Sequence, residues 1–193
     1  MKPIASIQLV AVTILASIAL ALAGATAYAQ PNVLIAAGDT AGPDELKTYL
    51  TATGLIGQID IVDTSSTTPT VATMNNYDAV LIYCDFAPLD TVTFGNNLAT
   101  YVAGGRGVVE LPASSTTTWG VHGTWDSRSC IVAADVYSLL SDATKGTIVE
   151  AHPIIAGVNV FNAGFIRRTV PTVINGARIL LRYSDNNVCV AVN

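Results

Sequence analysis

Four polar residues follow or neighbour predicted strands, where they can carry chemistry at one edge of a sheet. Asp39 follows the first predicted strand, Asp85 the third and Ser114 the fourth, while His152 lies in a later loop. The carboxyl ends of parallel strands meet at one edge of a sheet, where ligands bind in open α/β proteins. Two carboxylates there can bind a divalent cation or act as an acid/base pair. With the serine and the histidine, they define a candidate hydrolase pocket.

Both carboxylates also have a structural interpretation. Asp39 can accept hydrogen bonds from backbone N–H groups at the start of the next helix, and Asp85 can be a turn residue. The loop of residues 38–42 lacks the Gly-Lys-Ser/Thr ending of a phosphate-binding loop, so phosphate binding is not expected. The structural interpretation is favoured for both residues.

A second candidate site lies in the sequence WGVHGTWD, which contains Trp119, His122, Trp125 and Asp126. Two tryptophans, a histidine and an aspartate on a glycine-rich loop can form a glycan-binding platform, because aromatic faces stack on sugars. Alternatively, the loop folds over the end of the sheet and buries its tryptophan rings. Burial is favoured, and the ligand-binding interpretation stays open.

The three cysteines, Cys84, Cys130 and Cys189, are widely spaced and form no CxxC motif, so a zinc site is not expected. In an oxidising compartment two of them can form a disulfide, but the spacing selects no pair, and free buried thiols are the alternative. Cys84 ends an apolar strand with neither histidine near it in the sequence, so it is not predicted to be a nucleophile. No metal and no cofactor is predicted.

Alternating strands and helices must position these residues. Short apolar runs alternate with segments that have helix start and stop signals, such as Pro43 and Asp44 at one start and Gly104 at one end. This alternation predicts a parallel sheet covered on both faces by helices and joined by right-handed crossovers. The predicted elements are strands Asn32–Ala37, Ile59–Asp63, Ala79–Cys84 and Gly107–Leu111, and helices from Pro43 to near Gly54, over Val71–Met74 and over Asp90–Val102.

The pattern changes after Pro112. Residues 112–130 are rich in Ser, Thr, Gly and Trp and are predicted to be irregular, and the Asn175-Gly176 pair is typical of a tight turn between strands. The remainder is predicted to be a β-rich extension of the same domain, because about 45 residues would be short of core on their own. Its predicted elements are a helix over Ile131–Leu140 and strands Thr147–Glu150, Gly157–Phe161, Ile166–Val173, Ala177–Tyr183 and Val188–Val192.

The composition excludes two classes of protein. Of the 193 residues, 51% are hydrophobic and 12% are charged, with a formal net charge of −5 and a pI near 4.7. The chain is therefore too apolar for a disordered protein. It is also too acidic for a nucleic-acid binder that works by charge.

Much of the apolar excess lies in the first 29 residues. Lys2 precedes an apolar run from Ile4 to Leu22, and Ala27-Tyr28-Ala29 fits the small-x-small pattern of a signal peptidase site. Cleavage after Ala29 is predicted, with export to the periplasm, the cell surface or the medium and no membrane association afterwards. Residues 30–193 are then predicted to form a single domain. An uncleaved anchor is the alternative, since about 20 apolar residues can span a bilayer.

The stretch YDAVLIYCDFAPLDTVTFGNNLATYVAGGRGVVELPA resembles the class I glutamine amidotransferase-like superfamily, in the non-catalytic version of bacterial secreted and cell-surface proteins. The later stretches HPIIAGVNVFNAGF and GARILLRYSDNNVCVAV are similar to further segments of that group. Together they cover most of residues 32–193. The resemblance implies a three-layer, flavodoxin-like α/β sandwich with a mostly parallel sheet and a β-rich C-terminal elaboration.

The chain departs from the enzymes of that superfamily at the residues that do the chemistry. The enzymes place a nucleophilic cysteine in a glycine-flanked turn after the strand that matches Val108–Leu111, but residues 111–115 of this chain read LPASS. Pro153 and Ile154 follow His152, so the His-x-Glu pair of the enzymes is absent as well. The amidotransferase reaction is therefore not expected.

The sequence thus leads to a secreted, non-enzymatic binding or structural module with a protein or glycan ligand. The alternative is a hydrolase whose pocket contains Asp39, Asp85, Ser114 and His152. Related domains usually continue past the strand that ends near Val192, so a truncated C-terminus is also considered. An uncovered last strand would then favour homo-association through its edge.

Overall fold

The computed structural model describes residues 29–39, 41–133, 137–139, 143–161, 166–170 and 172–193. These residues fall into two compact units, which we call the α/β unit (Ala29–Ser129) and the β unit (Cys130–Asn193). The predicted signal segment lies outside the described residues, apart from Ala29. None of the helices in the described ranges has the length and apolarity that a bilayer crossing requires.

The α/β unit is built on a four-stranded sheet in which all strands are parallel, in the order β2-β1-β3-β4. Helices connect consecutive strands, and two short 3₁₀ turns follow the last strand. This confirms the predicted α/β class and the parallel sheet. The elements are β1 (Val33–Gly38), α1 (Gly42–Ala52), β2 (Ile59–Asp63), α2 (Val71–Met74), β3 (Ala79–Cys84), α3 (Thr91–Ala103), β4 (Gly107–Glu110) and the 3₁₀ turns Pro112–Ser115 and Gly123–Ser127.

The central strand β1 is buried along its whole length, as expected for a strand with packing on both faces. Leu34 and Ala36 of β1 contribute to a cluster with Phe94 and Leu98 of α3. Because side chains alternate along a strand, Val33, Ile35 and Ala37 point to the opposite face, and they are equally buried. Removal of this apolar surface from water supplies the main stabilisation of the unit.

Helix starts in the α/β unit are fixed by side chains that accept hydrogen bonds from orphan backbone N–H groups. Asp90 Oδ1 accepts from Thr93 N–H at the start of α3 (2.9 Å), and Thr70 Oγ1 accepts from Thr73 N–H at the start of α2 (3.1 Å). The N-cap role of Asp90 places the first residue of α3 at Thr91, one residue later than predicted.

The β unit consists of short antiparallel strands. β5 (Tyr137–Leu139) pairs with β7 (Ile166–Arg168), while β8 (Arg178–Tyr183) lies between β6 (Lys145–Ile148) and β9 (Val188–Val192). The apolar side chains of its described residues form two clusters, one around Leu180, Leu181 and Phe161 and a smaller one around Val170 and Val188. The turn before β8 has positive φ at both Asn175 (53°) and Gly176 (73°), as the predicted tight turn requires.

Two predicted elements of the β unit are wrong, and a third is shorter than predicted. Ile131 forms an antiparallel bridge with Val173, and residues 137–139 form a strand, so the helix predicted over Ile131–Leu140 is absent from the described part of that segment. The residues of the strand predicted over Gly157–Phe161 form irregular chain after the 3₁₀ turn Pro153–Ile155. The strand predicted over Ile166–Val173 ends at Arg168. Cross-strand pairing overrides local preference in this segment.

The outer strands of the three-stranded sheet have hydrogen-bond partners outside that sheet. Val188 of β9 donates its N–H to the carbonyl group of Val170 (2.7 Å), and Lys145 of β6 donates to that of Phe161 (3.1 Å). Each outer edge therefore has part of its backbone paired within the unit. Homo-association through the last strand stays a prediction.

Candidate functional site

The carboxyl ends of β1 and β3 mark the point where ligands bind in open α/β sheets. The two strands are neighbours, and the chain leaves β1 toward β2 on one side and β3 toward β4 on the other. Such a change of direction opens a crevice between adjacent strands. What fills this crevice decides whether the edge of the sheet can hold a substrate.

The loop after β3 crosses the end of β1. The backbone N–H groups of Asp85 and Phe86 both donate to the carbonyl group of Gly38, at 3.0 and 2.7 Å. A Cβ atom on Gly38 would lie 2.3 Å from the Phe86 carbonyl oxygen, so only glycine fits under this crossing. Leu89 N–H then donates to the carbonyl group of Thr64, just beyond β2. Backbone therefore covers the crevice.

The two candidate carboxylates follow adjacent strands, since Asp85 N–H bonds to the residue before Asp39. Asp39 accepts hydrogen bonds from the N–H groups of Ala41 (3.3 Å) and Gly42 (3.0 Å), and so binds the start of α1. Asp85 is exposed. Among the described residues, no group of three or more His, Cys, Asp or Glu side chains is placed to hold a metal ion.

Ser114 lies in the first 3₁₀ turn after β4 and has no exposed surface. Its carbonyl group accepts a hydrogen bond from Val121 N–H (2.7 Å). Nearby, Cys84 is also fully buried, and this burial raises the pKa of its thiol to about 11, against the opposing effects of the Ser114 side chain and the Gly38 backbone. A neutral, buried thiol is a poor nucleophile at neutral pH.

His152, the fourth candidate hydrolase residue, belongs to the β unit. Its Nδ1 atom accepts a hydrogen bond from Ile154 N–H (3.2 Å) at the start of the 3₁₀ turn Pro153–Ile155. This hydrogen bond holds the imidazole ring of His152 at the start of the 3₁₀ turn. Asp39, Asp85 and Ser114 lie in the α/β unit.

Sequence reasoning missed Glu110, the last residue of β4. Its Oε1 atom accepts a hydrogen bond from Trp125 Nε1 (3.2 Å), and its Oε2 atom accepts one from Ser129 Oγ (2.6 Å). The residue as a whole is half-buried, but desolvation of the carboxyl group raises its pKa to about 7, aided by the charge of Asp126 and opposed by the two hydrogen bonds. The one available signal was a carboxylate at the end of an apolar strand.

The donors to Glu110 come from residues 121–129, which we call the strap. The strap is also attached to α3: His122 N–H donates to the Thr91 carbonyl group, and Thr124 donates its N–H and its hydroxyl to Asn96 Oδ1, at 2.8 and 2.7 Å. A Cβ atom at Gly95 would lie 1.7 Å from the His122 carbonyl oxygen. The glycine inside α3 thus makes room for the strap.

The four candidate glycan-binding residues differ in exposure. Trp125 is 5% exposed and packs in the main cluster of the α/β unit, so its ring is not presented for stacking on a sugar. Trp119 is half-buried, with its indole nitrogen buried. His122 and the exposed Asp126 form a pair with 3.1 Å between Nδ1 and Oδ1. Of this set, His122 and Asp126 offer polar groups at the surface.

Comparisons with known proteins add no assignment to this geometry. Neither family models, nor curated proteins, nor solved structures give a significant match to the chain.

Proposed function

We propose that the chain is an exported, non-enzymatic binding or structural module with a degenerate amidotransferase-like fold. The observation that carries this proposal is the closure of the carboxyl end of the parallel sheet. The loop after β3 covers the end of β1, and the buried Trp125 side chain bonds to Glu110 at the end of β4.

The Ser114 hydroxyl and the Cys84 thiol, which follow or end strands at this edge, support a non-enzymatic role. Ser114 and Cys84 both have no exposed surface, and the raised pKa of Cys84 keeps its thiol neutral. A covalent nucleophile needs an adjacent base or a lowered pKa, together with access to its substrate. In this structure, neither side chain can be reached by a substrate from solvent.

The hydrolase alternative requires Asp39, Asp85, Ser114 and His152 to act on one substrate. The described contacts assign Asp39 to the start of α1 and His152 to the start of a 3₁₀ turn, and they bury Ser114. This alternative is therefore retained as an outcome of the test below.

A turnover assay separates the two functions. The purified chain is incubated with panels of amides, esters and glycosides, and no hydrolysis above the protein-free rate is expected. Turnover that disappears in Ser114→Ala and persists in Ser115→Ala would establish the hydrolase instead. Ser115 is the matched control because it lies in the same turn, where its hydroxyl donates to the Pro112 carbonyl group.

Export is tested separately. The protein is expressed in a bacterial host with its full sequence, the cells are fractionated, and the N-terminus of the product is sequenced. The expected product lies outside the cytoplasm and begins at Gln30, because the predicted cleavage follows Ala29. A membrane-bound product that begins at Met1 would favour the uncleaved anchor.

A further inference from the structure

The loop after β3, residues 85–90, presents apolar side chains to solvent. Phe86 is 56% exposed and Leu89 is 64% exposed, and Val92 in the first turn of α3 is 50% exposed. Among the exposed large hydrophobic residues in the described part of the α/β unit, only Tyr49 lies elsewhere. Single exposed apolar side chains are common on protein surfaces, whereas groups of them mark interaction sites. We call Phe86, Leu89 and Val92 the apolar patch.

The backbone that carries the apolar patch is fixed by hydrogen bonds to two strand ends. Phe86 N–H donates to the Gly38 carbonyl group at the end of β1 (2.7 Å), and Leu89 N–H donates to that of Thr64, just beyond β2 (2.7 Å). Pro88, which lies between them in the chain, is buried. The loop is therefore ordered before a partner arrives, which lowers the entropic cost of binding.

The position of the loop favours a macromolecular partner over a small molecule. Small-molecule sites are concave, but this loop covers the crevice between β1 and β3 with its own backbone. The exposed side chains of the apolar patch belong to that cover. A polypeptide can place apolar side chains against them from solvent without entering the sheet.

Two ionised carboxylates flank the apolar patch. Asp63 precedes the residue to which Leu89 N–H is bonded, and Asp90 follows Leu89 in the chain. Both aspartates are exposed, and neither forms an ion pair within the described residues. Hydrogen bonds from Ser65 to Asp63 and from Thr93 N–H to Asp90 lower the pKa of both carboxyl groups. Both groups are therefore charged at neutral pH.

The charge around the apolar patch restricts the chemistry of the partner. The loops that follow β1, β2 and β3, residues 38–42, 63–70 and 85–90, contain four aspartates and neither lysine nor arginine. The whole chain is acidic as well, with a formal net charge of −5, so a second copy is a poor electrostatic match. Lysine or arginine next to an apolar side chain matches both the charge and the apolar surface.

We infer that the apolar patch, with Asp63 and Asp90 beside it, is a docking surface for a basic segment of a partner protein. The segment places an apolar side chain against Phe86 and Leu89 and its lysine or arginine side chains beside the two carboxylates. The buried apolar contact supplies affinity, and the charges orient the segment and speed its association. This inference rests on the proposed function, since it names the partner class of the binding module.

An NMR titration of the isotope-labelled product, purified after export, tests the docking surface. The probe is the peptide acetyl-GKKFKLKKG-amide. We expect it to shift the amide signals of residues 85–92 and to bind more weakly as the ionic strength rises. Two control peptides separate the contributions: acetyl-GEEFELEEG-amide reverses the charge, and acetyl-GKKSKSKKG-amide lacks the apolar side chains. Each should bind at least about tenfold more weakly than the probe. Equal binding of either control, or no shift of these signals with the probe, would overturn the proposal.

A serine substitution tests the apolar contact. Leu89→Ser removes the exposed side chain and leaves the backbone N–H that bonds to Thr64, so the variant is expected to fold and to bind the probe about fivefold more weakly. Val160→Ser is the matched control, because Val160 is 85% exposed and lies in the β unit. An equal loss of affinity in the two variants would show that the apolar patch is not the binding surface.

Asparagine substitutions test the charges. Asp63→Asn and Asp90→Asn remove a charge each but keep an oxygen that can accept the local hydrogen bonds. Each is expected to weaken binding of the probe by about two- to fivefold at low ionic strength. Glu150→Gln removes the same charge in the β unit and should leave the affinity unchanged. Unchanged affinity in both asparagine variants would contradict the assigned chemistry of the partner.

Failure of the docking surface is distinguishable from failure of the proposed function. Hydrolysis in the turnover assay would refute the non-enzymatic function, while the peptide titration would still decide whether the apolar patch binds a basic segment. Absence of peptide binding by a protein without turnover would overturn the docking surface alone.

Discussion

The α/β unit and the β unit bury their apolar residues in different ways. In the α/β unit, eleven described side chains form one continuous cluster, which extends from the sheet through α3 to the strap. In the β unit, the two described clusters have six and three buried members. Strand–helix–strand repeats cover both faces of a sheet, whereas short antiparallel strands leave more surface to solvent. The comparison teaches that the extent of a continuous apolar cluster follows the topology of the unit.

Truncation of one phenylalanine in each unit tests this difference most strongly. Phe94→Ala is expected to lower the free energy of unfolding by about 3–5 kcal/mol, because Phe94 is fully buried in the continuous cluster. Phe161→Ala is expected to cost less, about 3 kcal/mol at the lower end of the same range, since its smaller cluster can collapse around the gap.

Urea denaturation measures both effects. Trp119 and Trp125 lie in the α/β unit, so their fluorescence reports on that unit, while far-UV circular dichroism reports on both. If Phe161→Ala and Phe94→Ala lower the free energy of unfolding by the same amount, the size of the cluster does not determine the cost of truncation.

The pH dependence of stability sharpens the comparison within the α/β unit. The pKa of Glu110 is raised from 4.5 to about 7 in the folded protein. Its stabilising contribution is therefore fully present below pH 4.5 and is lost as the pH rises through 7, on the order of 3 kcal/mol in total. Glu110→Gln should remove this loss.

The difference between the parent protein and Glu110→Gln isolates the effect, since other titrating groups are common to both. Thermal unfolding across this pH range measures it. Glu150→Gln in the β unit is the control, because Glu150 makes a surface ion pair with Arg178 and its removal should change stability by less than about 1 kcal/mol. Parallel pH profiles for the parent protein and Glu110→Gln would refute the prediction.

Gly95→Ala tests how tightly α3 supports the strap. Alanine improves helix propensity by about 1 kcal/mol, but its Cβ atom would overlap the His122 carbonyl oxygen. The overlap is expected to dominate, giving a net loss of about 1–3 kcal/mol. Gly107→Ala is the matched control, since no atom lies within 4 Å of its added Cβ. A stabilised Gly95→Ala protein would show that the strap is not held against α3.

The smallest expected effect concerns the cap of α2. Thr70→Ala removes the acceptor for Thr73 N–H and should lower the free energy of unfolding by about 1 kcal/mol. The same change weakens the helix that positions the buried Met74 side chain. Thr70→Ser keeps the hydroxyl group and should stay close to the parent in urea denaturation. Equal losses in the two variants would assign the effect to the methyl group of threonine.

The two units also differ in how well the sequence predicted them. The residue bounds of β2, α2 and β3 match the prediction, because short apolar runs between polar turns leave little choice of register. The helix predicted over Ile131–Leu140 is wrong, because its local pattern is overridden by pairing with residues more than 25 positions away, such as Ile131 with Val173.

The candidate site was predicted in part. The positions of Asp39 and Asp85 after adjacent strands follow from the order of the elements, and so were foreseeable. The role of Glu110 was not, because a carboxylate at a strand end usually lies in water. Its burial depends on Trp125 and Ser129, which return to β4 only through the irregular strap.

The position of β2 has a consequence for behaviour at high concentration. It is an edge strand of the parallel sheet, and no described strand pairs with its outer side. Asp60 and Asp63 lie three residues apart on β2, so they face opposite sides of the sheet. A second chain that added to this edge would bring like charges together on both faces. We therefore expect the two aspartates to disfavour edge-to-edge pairing with a second copy of the chain.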